Sequence, residues 1–227
     1  MNPRYLYLFD IDGTLLAPGR TPRETINAAI QRVTGHNPDL RYGDVAGFTD
    51  PLIVRRALQQ QIAVSGDLST LIDQVLEDYL EQVQRRFPQA SDPVVYNDAV
   101  AFLKRVVSAG EAVGLITGNL EGVARIKLER FNLWDYFPFG VFGDDTEERR
   151  AMPWIARERA WDTYCEAFPF NRMVVVGDTI HDARAAQTYG ARSIIVCRRL
   201  DYQDQIAAIK PTQLVSTLEE AEIIPKG

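Results

Sequence analysis

The chain has 227 residues, 46% of them hydrophobic and 25% charged, enough apolar material for one large domain or for a core that carries an insertion. Its net charge of −6 and pI of about 5.1 argue against a general nucleic-acid binder and against a protein held to anionic membranes. No apolar run reaches membrane-spanning length, and no basic segment followed by a long apolar one opens the chain, so a cytoplasmic location without a membrane partner is expected.

The first element is Tyr5-Leu6-Tyr7-Leu8-Phe9, an apolar run of strand type that ends abruptly at Asp10-Ile11-Asp12-Gly13-Thr14. Side chains alternate along a strand, so Asp10 and Asp12 point the same way if the strand runs through both. Gly13 lets the backbone turn at once. Two carboxylates on one face repel, and a hard divalent cation with oxygen ligands is the natural compensation. An Asx turn accounts for one aspartate but not for two. A turn-rich linker follows from Leu15. Thr21 reads as an N-cap, with Pro22 in the first helical position and Glu24 completing a capping box. That helix should run to Thr34 and break at Gly35-His36-Asn37-Pro38. A second helix is expected from Pro51 to about Ile62, with Asp50 as its N-cap. After a break at Ser65-Gly66-Asp67, a long helix runs to about Arg86. Its apolar positions Leu68, Leu71, Ile72, Val75, Leu76, Tyr79, Leu80 and Val83 have helical spacing and read as core.

Asp92-Pro93-Val94-Val95-Tyr96 is a second extended linker, after which the pattern changes. Helices at 99–109, 120–131, 154–168 and 183–189 alternate with strands at 112–116, 139–142, 173–176 and 193–196, before a last helix near 202–209 and a short tail. This alternation predicts an α/β fold, a parallel sheet covered on both faces. The predicted organisation is a core of residues 1–15 and 96–227 interrupted by a helical insertion at 16–95. Both linkers leave the core near the first strand, so the insertion can sit over that edge as a lid. Cys165 and Cys197, far apart, are expected to be buried thiols in a reducing compartment, neither a disulfide framework nor a zinc site. His36 and His181 do not suggest a histidine-rich metal site.

Ligands of such open sheets bind at the carboxyl ends of strands, where three polar motifs fall: Asp10-Ile11-Asp12, Thr117-Gly118-Asn119 and Gly177-Asp178-Thr179. A carboxylate such as Asp10 can attack phosphorus and hold the phosphoryl group, while Asp12 serves as general acid and base. Mg²⁺ would bridge Asp10, the Asp12 backbone carbonyl and Asp178, with Asp182 acting through water or as an outer partner. The simpler reading of Asp178 is a helix cap; the two roles can coexist, and the presence of Asp10 and Asp12 favours metal binding. Thr117, Gly118 and Asn119 supply a hydroxyl and N–H groups just before a helix, a phosphate-holding arrangement that also occurs for purely local reasons. Arg149 and Arg150 are candidates for the cation beside nucleophile and phosphate, although arginine is abundant in this chain.

Asp10-Ile11-Asp12-Gly13-Thr14, Ile116-Thr117-Gly118-Asn119 and Val176-Gly177-Asp178-Thr179-Ile180-His181-Asp182, in that order, resemble the haloacid dehalogenase superfamily. The similarity is to the phosphoglycolate-phosphatase-like branch with a helical cap after the first motif, and it extends over essentially the whole chain. The resemblance implies a Rossmann-like core, Mg²⁺ dependence and hydrolysis of a phosphomonoester through an aspartyl phosphate. The third motif of that family is usually a lysine. No lysine here fits, Lys127 standing too early, but some relatives use arginine, and counting back from Ile155-Ala156 favours Arg149 over Arg150. Asp12 distinguishes the chain from dehalogenases, which lack the second aspartate. The absence of lysine before Lys104 disfavours phosphonate cleavage through a Schiff base. Hexose-phosphate mutases keep both aspartates but commonly have valine where Thr14 stands, which leaves them the alternative. A non-catalytic phosphate-binding regulatory protein is the reading from another class, separated by whether any phosphate ester is turned over. Gly47-Phe48-Thr49-Asp50 resembles the cap loop that reaches into the site, so Phe48 and Thr49 are candidate substrate contacts, with packing as the other reading of Phe48. The insertion holds eight arginines against ten acidic residues and offers no basic track for a polymer. A small phosphorylated metabolite is therefore expected, with Arg20, Arg41, Arg55 and Arg56 as rim candidates for a second anionic group.

Overall fold

In the computed structural model, which describes residues 4–61 and 67–225, the opening apolar run forms β1 (Leu6–Phe9), buried along its whole length. Such a strand needs cover on both faces. Tyr7 and Phe9 face one layer with Val113, Leu115 and Phe102, while Leu6 and Leu8 face the other with Met152, Ala156 and Ala160. The elements that follow are β2 (Leu16–Ala17), α1 (Thr21–Thr34), α2 (Tyr42–Val45), α3 (Asp50–Gln61), α4 (Leu68–Arg86) and β3 (Val94–Val95). Then come α5 (Asn97–Ser108), β4 (Ala112–Ile116), α6 (Glu121–Glu129), β5 (Gly140–Val141), α7 (Met152–Tyr164), β6 (Met173–Gly177), α8 (Ile180–Thr188), β7 (Arg192–Val196), α9 (Gln203–Ala207) and β8 (Gln213–Val215).

Six of these strands form a parallel sheet in the order β5-β4-β1-β6-β7-β8. From β1 the chain builds outward through β4 on one side, then returns to β6 on the other. The carboxyl end of β1 is thus the topological switch point, where open α/β sheets bind ligands. Phe9 is in register with Leu115 on one side and Val176 on the other. That register brings Asp10, Thr117 and Asp178 to one edge.

Helices α1 to α4 form a second core around Ile30, Val54, Ile72, Val75 and Tyr79, which also takes in Leu120 and Val123 from the α/β part. The helix-spaced residues of α4 face it as expected. The two linkers are paired: β2 and β3 run antiparallel, Leu16 opposite Val95. Two-residue strands carry no readable period, and neither these nor β8 in the tail was predicted. Several local expectations are corrected. Thr21 is the first residue of α1, with no side-chain cap; Arg20 precedes it, and its N–H donates to Asp92 at 2.8 Å. Asp50 begins α3, and the Thr49 hydroxyl accepts from Leu52 N–H in the role expected of Asp50. Cys165 is exposed in the left-handed position that ends α7, while Cys197 is buried. Ser65 and Gly66 lie outside the described residues, and Asp67 caps α4. Among the described residues no helix is long and apolar enough to cross a membrane.

Candidate active site

Asp10 follows β1 directly, and its N–H continues the ladder to Val176 O at 2.9 Å. The loop behind it is tight: Leu15 N–H returns to Ile11 O at 2.8 Å. Gly13 has φ of +84°, and a Cβ there would lie 2.1 Å from Asp178 Oδ2, so both conformation and space require glycine. Arg198 clamps this loop from the end of β7. Its Nε donates to Gly13 O at 2.8 Å, its Nη2 to Asp98 at 3.1 Å, and its guanidinium lies 3.6 Å from the centre of the Tyr96 ring.

Of the two candidate cations, Arg149 is the one that meets the aspartates. It is buried, with Nη2 2.8 Å from Asp10 Oδ1 and 2.5 Å from Asp182 Oδ1, whereas Arg150 is exposed. Burial works against its charge, but Asp182 and Asp10 outweigh this and hold its proton more firmly than usual. The helix cap that the simpler reading gave to Asp178 belongs to Thr179. A reciprocal capping box joins Thr179 and Asp182, and Asp182 Oδ2 accepts from Thr179 N–H at 3.0 Å. Burial pushes the Asp182 carboxyl up, but Arg149 and Thr179 together bring it below its ordinary range.

Asp178 is thereby left to the cavity, its one side-chain hydrogen bond among the described residues coming from Thr14 at 3.5 Å. Burial, with Asp10 and Asp182 close by, pushes it well above the usual carboxylate range. Asp10 is pushed up to about 7, chiefly by burial and against the pull of Arg149. Carboxylate oxygens of Asp10, Asp178 and Asp182 lie within 4.8 Å of one another. These carboxylates and Asp12 face two engaged cations, Arg149 and Lys127. Negative charge in excess, all of it on hard oxygen donors, fits a divalent cation of the Mg²⁺ type.

Asp12 turns away from this cluster. Its Oδ2 accepts from Lys127 Nζ at 2.6 Å and from Asn119 Nδ2 at 3.1 Å. Lys127 is 1% exposed. In sequence it precedes the third-motif position, but it falls on the same face of α6 as Val123, Ala124 and Leu128. A lysine on an apolar helix face needs a partner, and that was the available signal.

Thr117, Gly118 and Asn119 line the same cavity of about 490 Å³ as Asp10, Asp12, Arg149 and Asp178. Two N–H groups at the start of the helix after them are taken by carboxylates. Leu120 N–H donates to Asp50 Oδ2 at 2.9 Å and Glu121 N–H to Asp144 Oδ1 at 2.6 Å. From the other side come Arg23, Tyr42, Phe48 and Tyr79. Phe48 both lines the cavity and packs on His181, ring centres 4.5 Å apart. Gly118 permits this approach, since a Cβ there would meet Phe48 O at 2.2 Å. Thr49, an expected substrate contact, is instead fully buried outside the cavity lining, donating to Glu147 O at 3.1 Å. The expected rim arginines are spent elsewhere. Arg20 pairs with Asp92, Arg55 with Glu147, and Arg56 lies over Phe48; neither they nor Arg41 line the cavity, which Arg23, Arg198 and Arg199 do.

Asp50 ties the helical segment to the site: its N–H donates to Gly118 O at 2.7 Å while its carboxyl accepts from Leu120. Burial pushes its pKa up to about 7, with Lys127 opposing. A carboxyl raised on folding contributes stability in its protonated form, and this is lost as pH rises from about 4 through 7. Asn resembles that protonated form at every pH. Asp50→Asn should therefore raise the melting temperature relative to wild type at pH 8 and have little effect at pH 4. Thermal unfolding followed by circular dichroism at the two pH values checks this, and a larger gain at pH 4 would contradict it.

Comparison with known proteins agrees with this geometry. Residues 7–196 match the family of haloacid dehalogenase-like hydrolases, and the chain belongs to that family. It is similar to the phosphoglycolate phosphatase of Vibrio vulnificus strain CMCP6, 24% identical over 220 residues that cover 95% of this chain and 93% of that protein. The phosphoglycolate phosphatase of Pseudomonas savastanoi pv. phaseolicola is 25% identical over 222 residues, covering 95% and 77%. Among solved structures, CbbY from Rhodobacter sphaeroides in complex with phosphate superposes with a TM-score of 0.72 at 17% identity, covering 96% of each chain. A predicted phosphoglycolate phosphatase from Haemophilus somnus 129PT gives 0.72 at 16% identity, covering 97% and 96%.

Proposed function

We propose that the protein is a Mg²⁺-dependent phosphatase that hydrolyses a small phosphomonoester through an aspartyl phosphate on Asp10. The observation that carries this reading is the different treatment of two neighbouring aspartates. Asp10 is buried against Arg149 and faces Asp178, as a nucleophile beside an electrostatic clamp requires. Asp12 is turned toward Lys127 and Asn119, as suits a group that handles protons.

The carboxylates of Asp10 and Asp178 and the backbone carbonyl of Asp12 would hold the metal, with Asp182, occupied by Arg149 and Thr179, supporting from behind. When bound, the ion supplies positive charge against the phosphoryl oxygens. A carboxylate oxygen of Asp10 attacks phosphorus. As the bond from phosphorus to the ester oxygen breaks, protonated Asp12 gives that oxygen its proton and the alcohol leaves. Asp12, now ionised, takes a proton from water; the water oxygen attacks phosphorus, Asp10 leaves as carboxylate and inorganic phosphate forms. Thr117 and Gly118 border the phosphoryl position, and Phe48 closes the cavity from above.

Residues 16–95 act in this reading as a helical cap over a core of residues 1–15 and 96–227. A roofed cavity of about 490 Å³ admits a phosphorylated metabolite and shuts out a polymer. Arg23 and Arg199, which line it with no carboxylate partner among the described residues, replace the rim arginines as contacts for a second anionic group. The test is kcat/KM with Mg²⁺ across small phosphomonoesters, phosphopeptides and 5′-phosphorylated oligonucleotides, each repeated in excess chelator. Small esters should win by tenfold or more, chelation should abolish turnover and Mg²⁺ restore it. Full activity in chelator would rule out the metal, and faster turnover of the polymers would rule out the lid.

A further inference from the structure

We infer that Lys127 is a positioning residue for proton transfer: it holds Asp12 by Oδ2 and so fixes the carboxyl that gives the proton to the leaving group and takes one from water. This rests on the phosphatase reading above and assigns a task to a residue outside all three motifs.

An ammonium group 1% exposed is tolerated only with hydrogen bonds to acceptors. Lys127 Nζ makes two, to Asp12 Oδ2 and to Asn119 Oδ1, both 2.6 Å. The second bond sets the orientation of Asn119. Lysine has donors and no acceptor, so it must meet the amide oxygen of Asn119, not its NH₂. The NH₂ is then directed to Thr117 Oγ1 at 2.8 Å and to Asp12 Oδ2 at 3.1 Å. Two donors therefore converge on one oxygen of Asp12, while Oδ1 is itself buried and has no hydrogen-bond partner among the described residues. A swing of the carboxyl away from this position would break both bonds.

The base of this arrangement is rigid. Lys127 stands on α6 between Val123 and Leu128, both fully buried, so its stem is held by packing. The two buried cations divide the work. Arg149 touches Asp10 and Asp182, and Lys127 touches Asp12. Lys127 also faces the buried carboxyl of Asp50, so simple charge balance is the competing role and the experiment must separate the two.

Leaving-group dependence separates them. An alkoxide leaves only with a proton, whereas 4-nitrophenolate leaves without one. For enzymes of this kind kcat/KM reports steps through phosphoryl transfer to Asp10, before water enters. In Lys127→Met, kcat/KM for an alkyl phosphate should fall on the order of 10²-fold, the usual worth of a general acid, and that for 4-nitrophenyl phosphate by less than about tenfold. Asp12→Asn should show the same selectivity, and adding Lys127→Met to it should cost little more, because both act through one proton. Thermal unfolding verifies each variant. If Lys127→Met does not fold, Lys127→Gln, which keeps a donor without the charge, goes through the same comparison. Equal losses on both esters, or full additivity with Asp12→Asn, would overturn the assignment while leaving the phosphatase reading intact. No turnover of either ester by wild type with Mg²⁺ would overturn both.

Discussion

Asp10→Asn is expected to abolish turnover of every ester the wild type hydrolyses and to leave the fold intact. The amide has the shape of the carboxylate, and its oxygen can still accept the 2.8 Å hydrogen bond from Arg149. What it lacks is a charged oxygen able to bond phosphorus. Loss of a nucleophile removes a whole route, so a fall in kcat on the order of 10⁴-fold or more is expected. Stability should move the other way in metal-free protein. Burial lifts the Asp10 carboxyl to about 7, so its ionised form is a cost above that pH, and Asn removes the cost. The melting temperature at pH 8 should therefore be equal to or above that of wild type. Rapid quench with ³²P-labelled ester should trap labelled protein from wild type and none from the variant. Turnover within tenfold of wild type, with contaminating phosphatase excluded, would sink the covalent mechanism.

The parts of this site that could be read from sequence are those in which each residue directly follows its own strand. Asp10, Thr117 and Asp178 stand just after apolar runs, and parallel register brings strand ends together without further information. What could not be read depends on contacts across sequence. Lys127 meets Asp12 from 115 residues away, and its only mark is a charge on an apolar helix face. Arg198 reaches Gly13 from 185 residues away, in a chain whose many arginines hide it. Asp50 looked like a helix cap because Asp before Pro usually is one; instead its carboxyl accepts from Leu120, and Thr49 caps. The same competition overturned Thr21. In each case a nearby acceptor or a longer-range partner won over the local motif. The fold was more legible than the site because a sheet needs only the alternation of apolar strands and helices, whereas β2, β3 and β8 are too short to show a period.

Arg149→Ala is expected to lose both activity and stability, and Arg150→Ala to lose little of either. The two residues are adjacent in sequence and opposite in environment: Arg149 is 8% exposed between Asp10 and Asp182, and Arg150 points to solvent. Removing Arg149 leaves two buried carboxylates without their cation, a change that typically costs about 3–5 kcal/mol. The loss should be pH-dependent. Arg149 is the chief influence holding Asp182 below its ordinary range against burial, and a depressed carboxyl contributes stability above its unfolded value, lost as pH falls. The difference in melting temperature between wild type and Arg149→Ala should thus be larger at pH 7 than at pH 3. Activity should fall on the order of 10²-fold or more, the usual effect of deleting one preorganised charge at a developing anion. Arg149→Lys separates the two losses. A lysine keeps the charge but cannot span Asp10 and Asp182 as the planar guanidinium does, so it should recover more stability than turnover. An exposed residue such as Arg150 should change stability by no more than about 0.5 kcal/mol when truncated. If kcat/KM instead collapses in Arg150→Ala and survives in Arg149→Ala, the cation that serves the phosphoryl group is Arg150, and the buried pair with Asp10 is a structural tie alone.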